Sequence, residues 1–377
     1  MRHRPRSWPP LELALRGVVL VTVFAHPHAF YTYDPEQFWQ RTQDLSLHHL
    51  PYRDFLWEFP PLTIVALLPA PLVSRGAYVA LFLVLMVAAE YGSLLVLRWS
   101  RPADAFGITA YWTLVGLPLA AFTWFRLDFI SVLFATLALV AVVHHREPSV
   151  PLTAGVAAKL WPGVAVAGLV LQRRWRAVIA SVAAVTALVL AWFAFSPSGF
   201  REFVRYRHGS GFQVESTIGA LRMLGRAPVG SASDSFVTDA GRYRYADTAF
   251  LLAWAALAVV TVVIALRRPV HLAPLLGALV TWLMVLSRIL SPQYLVWLLP
   301  FAALAWVDGD RVATIAFGAA SVMTLAVIEH YNAYIAGNRA VVLTVVLRNL
   351  LLVLVGVRFF QLAFGARPRA VDKHPAR

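Results

Sequence analysis

The sequence predicts an all-α protein that crosses a membrane many times, and its composition and hydropathy carry that prediction. Hydrophobic residues make up 59% of the 377 residues and charged residues 14%, and the mean hydropathy is +0.67. This balance leaves too little polar surface for a soluble globule of this length. Apolar runs long enough for an α-helix to cross a bilayer recur along the chain. We therefore expect one integral membrane domain over residues 1–370, with about 11–13 transmembrane or re-entrant helices.

The apolar runs give the order of the predicted helices. The first run, 11–25, follows three arginines and has no small-residue cleavage site, so we expect a retained helix. Further spans are predicted at 76–97, 105–123, 128–143, 177–195, 248–266, 271–287, 292–307, 312–328 and 340–362. Two other segments are ambiguous, because 60–73 is short and carries four prolines, and 151–171 contains Lys159 and Pro162 at its middle. Each of these two either crosses once or is re-entrant.

The distribution of arginine decides between these alternatives. Basic clusters at 98–101, 144–146 and 173–176 all lie on the cytoplasmic side only if both ambiguous segments are re-entrant. Residues 151–171 then form two half-helices with Lys159 at an outward-pointing tip, and broken backbone at that depth implies a cavity. Both termini are then cytoplasmic. Because only two of the 33 basic residues are lysine and alanine is abundant, we place the chain in a bacterial plasma membrane.

Polar segments collect on the predicted outer face. An outer loop with short surface helices is expected at 27–75, a second long outer loop at 197–247, and a basic cytoplasmic tail at 366–377. The net charge of +14 is compatible with nucleic-acid binding, but the arginines lie in short clusters between apolar runs and no nucleic-acid motif is present. We therefore expect membrane lipids, and no nucleic acid, among the partners.

The first outer loop supplies candidate catalytic residues. Its stretch 27–60 runs into PYRDFLWEFPPL at 51–62, where prolines and aromatic residues favour short helices at the bilayer surface. The carboxylates of this stretch are Asp34, Glu36, Asp44, Asp54 and Glu58. Any one of them could be a solvated loop residue, but five beside a proline-broken amphipathic segment favour an active site. Tyr52 and Glu58 belong to this segment, and Asp34 opens it next to the first helix.

Cationic side chains complete the candidate site. Lys159 within an apolar segment is costly and is therefore a functional candidate by default. Arg126 and Asp128 form either a turn salt bridge or part of the site, and Arg288 either snorkels from a helix end or contacts substrate. An outward-facing site of carboxylates and these cations, ringed by Trp and Tyr, suits an anionic headgroup joined to an apolar tail. A lipid phosphate is the natural candidate.

Other charged residues are assigned to the scaffold or left open. Glu12 and Arg16 are four residues apart and are expected to pair on the surface of the first helix. Glu90, inside a span, either pairs with a helix neighbour or faces the cavity. No cofactor is expected, because the chain has no cysteine and its histidines lack a zinc-binding pattern. The acidic loop could hold a divalent cation, but the cationic side chains can neutralise a phosphate, so no metal is predicted.

Five motifs follow one another along the chain. They are Asp34, PYRDFLWEFPPL at 51–62, RLD at 126–128, AGVAAKLWP at 154–162 and SPQYLVWLLP at 291–300. Together they resemble glycosyltransferase family 87, within the polyprenol-phosphate-sugar-dependent glycosyltransferases of the C superfamily, and the resemblance runs from about residue 10 to 365. It implies a glycosyltransferase-C-like bundle with Asp34 as the catalytic carboxylate. The expected substrate-binding residues are Tyr52, Glu58, Arg126, Asp128, Lys159, Arg288, Gln293 and Tyr294.

The resemblance also implies a reaction. A sugar, for which we expect mannose, passes from a polyprenyl-phosphate donor to a glycolipid or cell-envelope glycan acceptor on the outer face. With a β-linked donor, one in-line displacement inverts the anomeric centre, with Asp34 as base and no covalent intermediate. Some mannosyltransferase members carry His where this chain has Gln293 and Tyr294, so arabinofuranosyl transfer stays an alternative. A flippase for polyprenyl-linked sugars would also have broken helices, but no repeat symmetry relates the two halves.

Overall fold

The computed structural model of the chain describes residues 9–25, 34–41, 49–55, 57–68, 72–207, 211–232, 235–239 and 245–365. Among these residues the fold is almost entirely helical, as predicted. The helices are α1 (Pro9–Ala25), α2 (34–41), α3 (Arg75–Ser100), α4 (Ala105–Tyr111), α5 (Leu117–Thr123), α6 (Asp128–Val143), α7 (Ser149–Ala158), α8 (Ala165–Leu171), α9 (Trp175–Phe195), α10 (Pro197–Arg207), α11 (Thr217–Leu224), α12 (Ala246–Ala265), α13 (Leu272–Val285), α14 (Leu299–Val307), α15 (Arg311–Glu329), α16 (Tyr331–Ile335) and α17 (Arg339–Phe364). Short 3₁₀ helices cover Pro61–Ala66, Pro102–Asp104, Trp161–Val164 and Pro292–Leu298, and a π-helical turn, Trp112–Gly116, joins α4 to α5.

Six helices in the described part of the chain are long and apolar enough to cross a membrane. They are Arg75–Ser100, Pro102–Thr123, Trp175–Phe195, Thr248–Ala265, Arg311–Glu329 and Arg339–Phe364. Shorter helices lie at the remaining predicted spans: α1 at the first, and apolar helices, α6 and α13 among them, at the others. Every span expected from hydropathy therefore has a helix, and the prediction of an all-α polytopic membrane protein is confirmed.

Ion pairs between helix ends show which ends of the bundle lie together. Arg98 at the end of α3 binds Glu12 near the start of α1, at 2.8 Å. Arg101 pairs with Asp308, and Arg358 near the end of α17 binds Asp310 at 2.7 Å. The start of α1 and the end of α17 therefore lie at one end of the bundle, which we call the arginine end. The opposite end, where α2 meets the start of α3, is called the site end.

The predicted re-entrant hairpin at 151–171 is present. Leu152 of α7 and Leu169 of α8 pack in one cluster with Val142, near the end of α6. Between them the chain reaches Lys159, whose ammonium lies 2.6 Å from Asp128 at the start of α6. The helix breaks there because Lys159 is extended, with φ −162° and ψ 145°, and Pro162 follows shortly. After α6 the chain therefore runs back beside it as α7 to the start of α6, and then returns as α8. Each of these half-helices is about 15 Å long or less.

The other ambiguous segment does not cross either. Its helical part, within the described residues 60–68 and 72–73, is a single 3₁₀ helix, Pro61–Ala66, of six residues, or about 12 Å at 3₁₀ rise. It packs against α7 of the hairpin. Arg75 of α3 reaches back to Glu36 of α2 at 2.6 Å, so the chain leaves and re-enters the bundle at the site end. The orientation of this end toward the outside stays a prediction.

One segment holds secondary structure that the sequence did not indicate, and one expectation from the sequence is wrong. The segment 197–247, predicted as a long outer loop, contains α10, α11 and a small antiparallel sheet of three strands, β1 (Phe212–Gln213), β2 (Val229–Ala232) and β3 (Ser235–Thr238), in the order β1-β3-β2. Its place on the outer side stays a prediction. Arg16 does not pair with the Glu12 carboxylate. Its guanidinium binds Glu90 of α3 at 2.6 Å, with both side chains almost fully buried. A buried carboxylate at that depth needs a cation beside it, and that need outweighs the local spacing along α1.

Candidate functional site

Four charged side chains gather at the site end. Asp34 opens α2, Arg126 lies on the turn between α5 and α6, Asp128 opens α6 and Lys159 forms the tip of the hairpin. Asp128 in the first turn of α6 is favoured by the helix dipole. The break between α7 and the 3₁₀ helix after it brings Lys159 to the level of that turn.

The cluster consists of two linked ion pairs. Asp34 Oδ1 lies 3.0 Å from Arg126 Nη1, and Asp128 Oδ1 lies 2.6 Å from Lys159 Nζ. The same oxygen of Asp128 accepts a hydrogen bond from Trp297 Nε1, also at 2.6 Å. Asp128 and Arg126 are buried, whereas the Asp34 side chain keeps 22% of its surface exposed. Asp34 is therefore the carboxylate of the cluster that a substrate can reach.

Burial raises the pKa of Asp34 above its ordinary value. Arg126 opposes this rise by attraction, the neighbouring negative charge of Asp128 adds to it, and Lys159 lowers it again. The direction follows from desolvation, which disfavours the charged form of a carboxyl group. A carboxylate with a raised pKa is a stronger proton acceptor once it is ionised, which suits a general base.

Aromatic rings surround the Lys159 ammonium. Trp161 and Trp297 stack with ring centroids 5.3 Å apart, and Tyr294 stacks on Trp297 at 4.1 Å. Lys159 Nζ lies 4.5 Å from the Tyr294 ring centroid and 5.0 Å from that of Trp297. These distances are within the range of cation–π attraction. Trp and Tyr were expected around the site, but neither Trp161 nor Trp297 was singled out, although both lie inside motifs quoted for their other residues.

A largely apolar cavity of about 390 Å³ begins at Lys159. Lys159 and Arg288 are the charged side chains in its wall. The remaining wall residues are Pro60, Leu160, Trp161, Phe203, Phe250, Leu251, Trp254, Leu283, Met284, Leu286, Ser287, Ile289, Tyr294 and Trp297. Leu160 and Leu251 are more than half exposed, so the cavity reaches the apolar surface of the bundle between the hairpin tip and α12.

The first small strand holds Arg288 at this cavity. Arg288 Nη1 donates to the Gly211 carbonyl oxygen at 3.2 Å, and the Gln213 amide donates to the Arg288 carbonyl oxygen at 3.1 Å. The Gln213 side chain also contacts Ser291 Oγ, at 3.0 Å. Gln213 and the strand around it therefore fix the turn that carries Arg288, a contribution that the sequence did not indicate.

Three of the expected site residues, Tyr52, Glu58 and Gln293, have their described contacts outside the charged cluster. Tyr52 packs on Trp192, with centroids 4.7 Å apart, and its hydroxyl donates to the Phe59 carbonyl. Glu58 lies 3.4 Å from Arg41. Gln293 is half-buried at the start of the 3₁₀ helix that carries Tyr294. These contacts hold Tyr52 and Glu58 within the first outer loop. Their role in substrate binding stays a prediction.

The described residues contain no group of three or more His, Asp or Glu side chains that could hold a metal ion. Each carboxylate of the cluster instead has a cation beside it. The site can therefore bind a negatively charged group through cationic side chains and accept a proton at Asp34.

The fold and the site define a polytopic membrane protein with a charged site at one end of an apolar cavity. The family model for glycosyltransferase family 87 matches residues 57–292, which is more than half of the chain, and the chain belongs to this family. It is a membrane glycosyltransferase. The matched range includes Arg126, Asp128, Lys159 and Arg288 but not Asp34. Searches of curated proteins and of solved structures found no match.

Proposed function

We propose that this glycosyltransferase moves a sugar from a polyprenyl-phosphate donor to an acceptor hydroxyl, with inversion and with Asp34 as the base. The observation that carries the proposal is the apolar cavity. It has Lys159 and Arg288 in its wall, and Asp34 belongs to the same charged cluster as Lys159. A donor with a long apolar tail, a phosphate and a sugar matches these three parts in that order.

The cavity suits a lipid tail. Its wall is mostly aliphatic and aromatic, and it reaches the bundle surface at Leu160 and Leu251. A polyprenyl tail that moves from the bilayer into this cavity stays in apolar surroundings, so its burial leaves no polar group unpaired. The base and ribose of a nucleotide sugar would find few hydrogen-bonding partners in such a wall, and unpaired polar groups are costly to bury.

The charges suit a phosphate. Each carboxylate of the cluster is paired with a cation, Asp34 with Arg126 and Asp128 with Lys159, and Arg288 adds a further cationic side chain in the cavity wall. A sugar linked to a lipid through a phosphodiester carries one negative charge. As the bond to the sugar breaks, a second charge develops on the phosphate, and cations placed beforehand stabilise that change.

The position of Asp34 suits proton transfer. Its partly exposed carboxylate is held by Arg126 at 3.0 Å, and its pKa is raised by burial. The acceptor oxygen attacks the anomeric carbon, its proton passes to Asp34, and the lipid phosphate leaves with the electron pair of the broken bond. A single displacement of this kind inverts the anomeric centre, and it needs no second carboxylate as nucleophile.

Mannose is the proposed sugar, because of the resemblance to the mannosyltransferases, and a glycolipid or envelope glycan is the proposed acceptor. The basic clusters of the arginine end favour the cytoplasmic side, so the site end is proposed to face outward from a bacterial plasma membrane. Arabinofuranosyl transfer would use the same geometry. Membership of a glycosyltransferase family speaks against the flippase alternative.

Donor comparison tests the proposal. The purified chain, reconstituted in vesicles, is given polyprenyl-phosphate mannose, polyprenyl-phosphate arabinofuranose, the matching nucleotide sugars, and a mannosyl phosphate with a tail of one isoprene unit. We expect transfer or slow hydrolysis from the long-chain mannosyl donor, and much less from the short-tail donor because it cannot fill the cavity. Use of a nucleotide sugar at the same rate, or equal rates with both tail lengths, would contradict the proposed donor class.

A further inference from the structure

A second cleft lies at the site end, away from the apolar cavity. It is about 620 Å³ and is formed between the end of α11 and the turn that leads into α17. Its wall includes Arg226 and Val229 from the α11 side and Ile335, Gly337 and Arg339 from the α17 side. The volume lies within the range of small-molecule sites, and none of these residues lines the cavity at Lys159.

Arg226 and Arg339 are the charged side chains in this wall, and both are exposed. Within the described part of the chain neither forms an ion pair, whereas nearby Arg222 is neutralised by Asp239 at 2.7 Å. Among the residues that the structure describes, the cleft therefore carries two positive charges and no counter-charge. Two guanidinium groups facing one cleft match the oxygens of a phosphate or carboxylate.

Both arginines occupy positions that do not favour them. Arg226 follows α11 with a φ of 60°, in the left-handed region where glycine is usual at a helix end. Arg339 is the first residue of the 26-residue α17, where a positive charge opposes the helix dipole. The free amides at this end are partly capped by the Asn338 side chain. An anion held between the two guanidinium groups would offset the unfavourable placement of Arg339.

The cleft is mechanically joined to the donor cavity. Thr217, at the start of α11, donates to the Val285 carbonyl of α13 at 2.9 Å. The strand that precedes α11 holds Arg288, as described above. The helix whose end forms the cleft thus begins beside the wall of the cavity. A ligand bound in the cleft lies on the same side of the bundle as the reacting groups.

We propose that this cleft binds a phosphate or carboxylate group carried by the acceptor. That an acceptor is involved rests on the proposed function, whereas binding of the anion does not. The group could belong to the headgroup of an anionic lipid or to a soluble or glycan-borne phosphate. The chemistry of recognition is the same in both cases.

Binding of inorganic pyrophosphate to the full chain in nanodiscs of phosphatidylcholine tests the site. We compare the wild type with the double variant Arg226→Gln/Arg339→Gln, and use Arg267→Gln/Arg268→Gln as control, because those exposed arginines lie at the arginine end. Losing two exposed charge-assisted contacts should weaken binding about tenfold. The control pair should bind as the wild type does. Any binding near Lys159 adds equally to all three proteins, so the difference reports the cleft.

A second arm identifies the source of the anion. In nanodiscs that contain phosphatidylglycerol, a lipid-headgroup site would lower the pyrophosphate affinity of the wild type to that of the double variant. A site for a glycan-borne group would keep the difference between the two proteins. Equal pyrophosphate binding by the wild type and the double variant in phosphatidylcholine, or an equal loss in the control pair, would overturn the proposal. Because no donor is present, either result leaves the proposed transfer reaction untouched.

Discussion

Neutralising the ion pair between Asp128 and Lys159 tests whether Lys159 binds the donor phosphate or only stabilises the fold by neutralising Asp128. Lys159→Gln removes the cation beside the buried Asp128 carboxylate, which keeps its hydrogen bond from Trp297. Breaking a buried ion pair from one side costs about 3–5 kcal/mol. We expect about 3 kcal/mol here, at the low end, because the Lys159 side chain keeps 18% exposure and the glutamine amide can still donate.

The double variant Asp128→Asn/Lys159→Gln removes both charges together. Neutral replacement of a buried pair is often tolerated, so the free energy of unfolding should return to within about 1 kcal/mol of the wild type. Donor affinity should not return, because the cation at the phosphate is still missing. The loss of one charge-assisted contact, about 1.5–3 kcal/mol, corresponds to about 10- to 150-fold weaker donor binding.

Unfolding is followed by titration with a denaturing detergent in mixed micelles, and donor affinity by binding of a fluorescent polyprenyl phosphate. Lys159→Gln is expected to lose both stability and affinity, and the double variant to lose affinity alone. Asp128→Asn, which keeps the lysine, provides the matched control and should bind the donor better than the other two. If the double variant binds donor as tightly as the wild type, Lys159 only neutralises Asp128 and the phosphate site must lie at Arg288.

Acidification, loss of one indole hydrogen bond and cysteine labelling provide three further tests. Because the pKa of Asp34 is raised by burial, transfer should fall on acidification at a pH above the ordinary aspartate value of about 3.9. The contribution of Asp34 to stability should decrease as the pH rises from about 4 through the raised pKa. A pH profile of kcat/KM and unfolding curves with and without Asp34→Asn check the two signs, and an acid limb at the ordinary aspartate value would contradict the reasoning. Trp297→Phe keeps the aromatic stack but removes a 2.6 Å hydrogen bond to Asp128, so the unfolding free energy should drop by about 1–3 kcal/mol, whereas an unchanged value would show that the bond adds nothing. The chain has no native cysteine, so single cysteines can be labelled selectively. A cysteine replacing Asn332, which is exposed at the site end, should react with an impermeant thiol reagent in intact cells. A cysteine replacing Ala103, which is exposed at the arginine end, should react only after permeabilisation, and the reverse pattern would invert the proposed orientation.

The membrane spans could be predicted from the sequence because span length and arginine position are nearly local properties. A helix of about 20 apolar residues has one stable place in a bilayer. The hairpin at 151–171 was also within reach, since Lys159 and Pro162 indicate a break at its middle and the arginine clusters on either side favour a re-entrant path over a single crossing. The three-stranded sheet between α10 and α12 could not be predicted, because its strands are two to four residues long. Strands of that length carry too few residues for an alternating pattern to be recognised.

The partners of the charged residues could be predicted only in part. Asp34, Arg126, Asp128 and Lys159 were expected in one site, and the structure brings them together. Their pairing partners were not foreseen, because Trp297 reaches Asp128 from 169 residues away. Arg16 similarly chooses Glu90 over the nearer Glu12 carboxylate. Side-chain spacing along one helix describes neighbours on that helix alone, whereas burial against another helix decides which charge must be neutralised.

The most direct test of the account is single-turnover transfer from a long-chain polyprenyl-phosphate sugar by Asp34→Asn. Asp54→Asn is the matched control, because Asp54 lies in the same outer loop, is exposed, and pairs with the exposed Arg53. We expect Asp34→Asn to insert in the membrane, bind donor and transfer at least about 100-fold more slowly, as loss of a general base requires, while Asp54→Asn transfers as the wild type does. Near-wild-type transfer by Asp34→Asn, or the same loss in both variants, would contradict the assignment of Asp34 as the base.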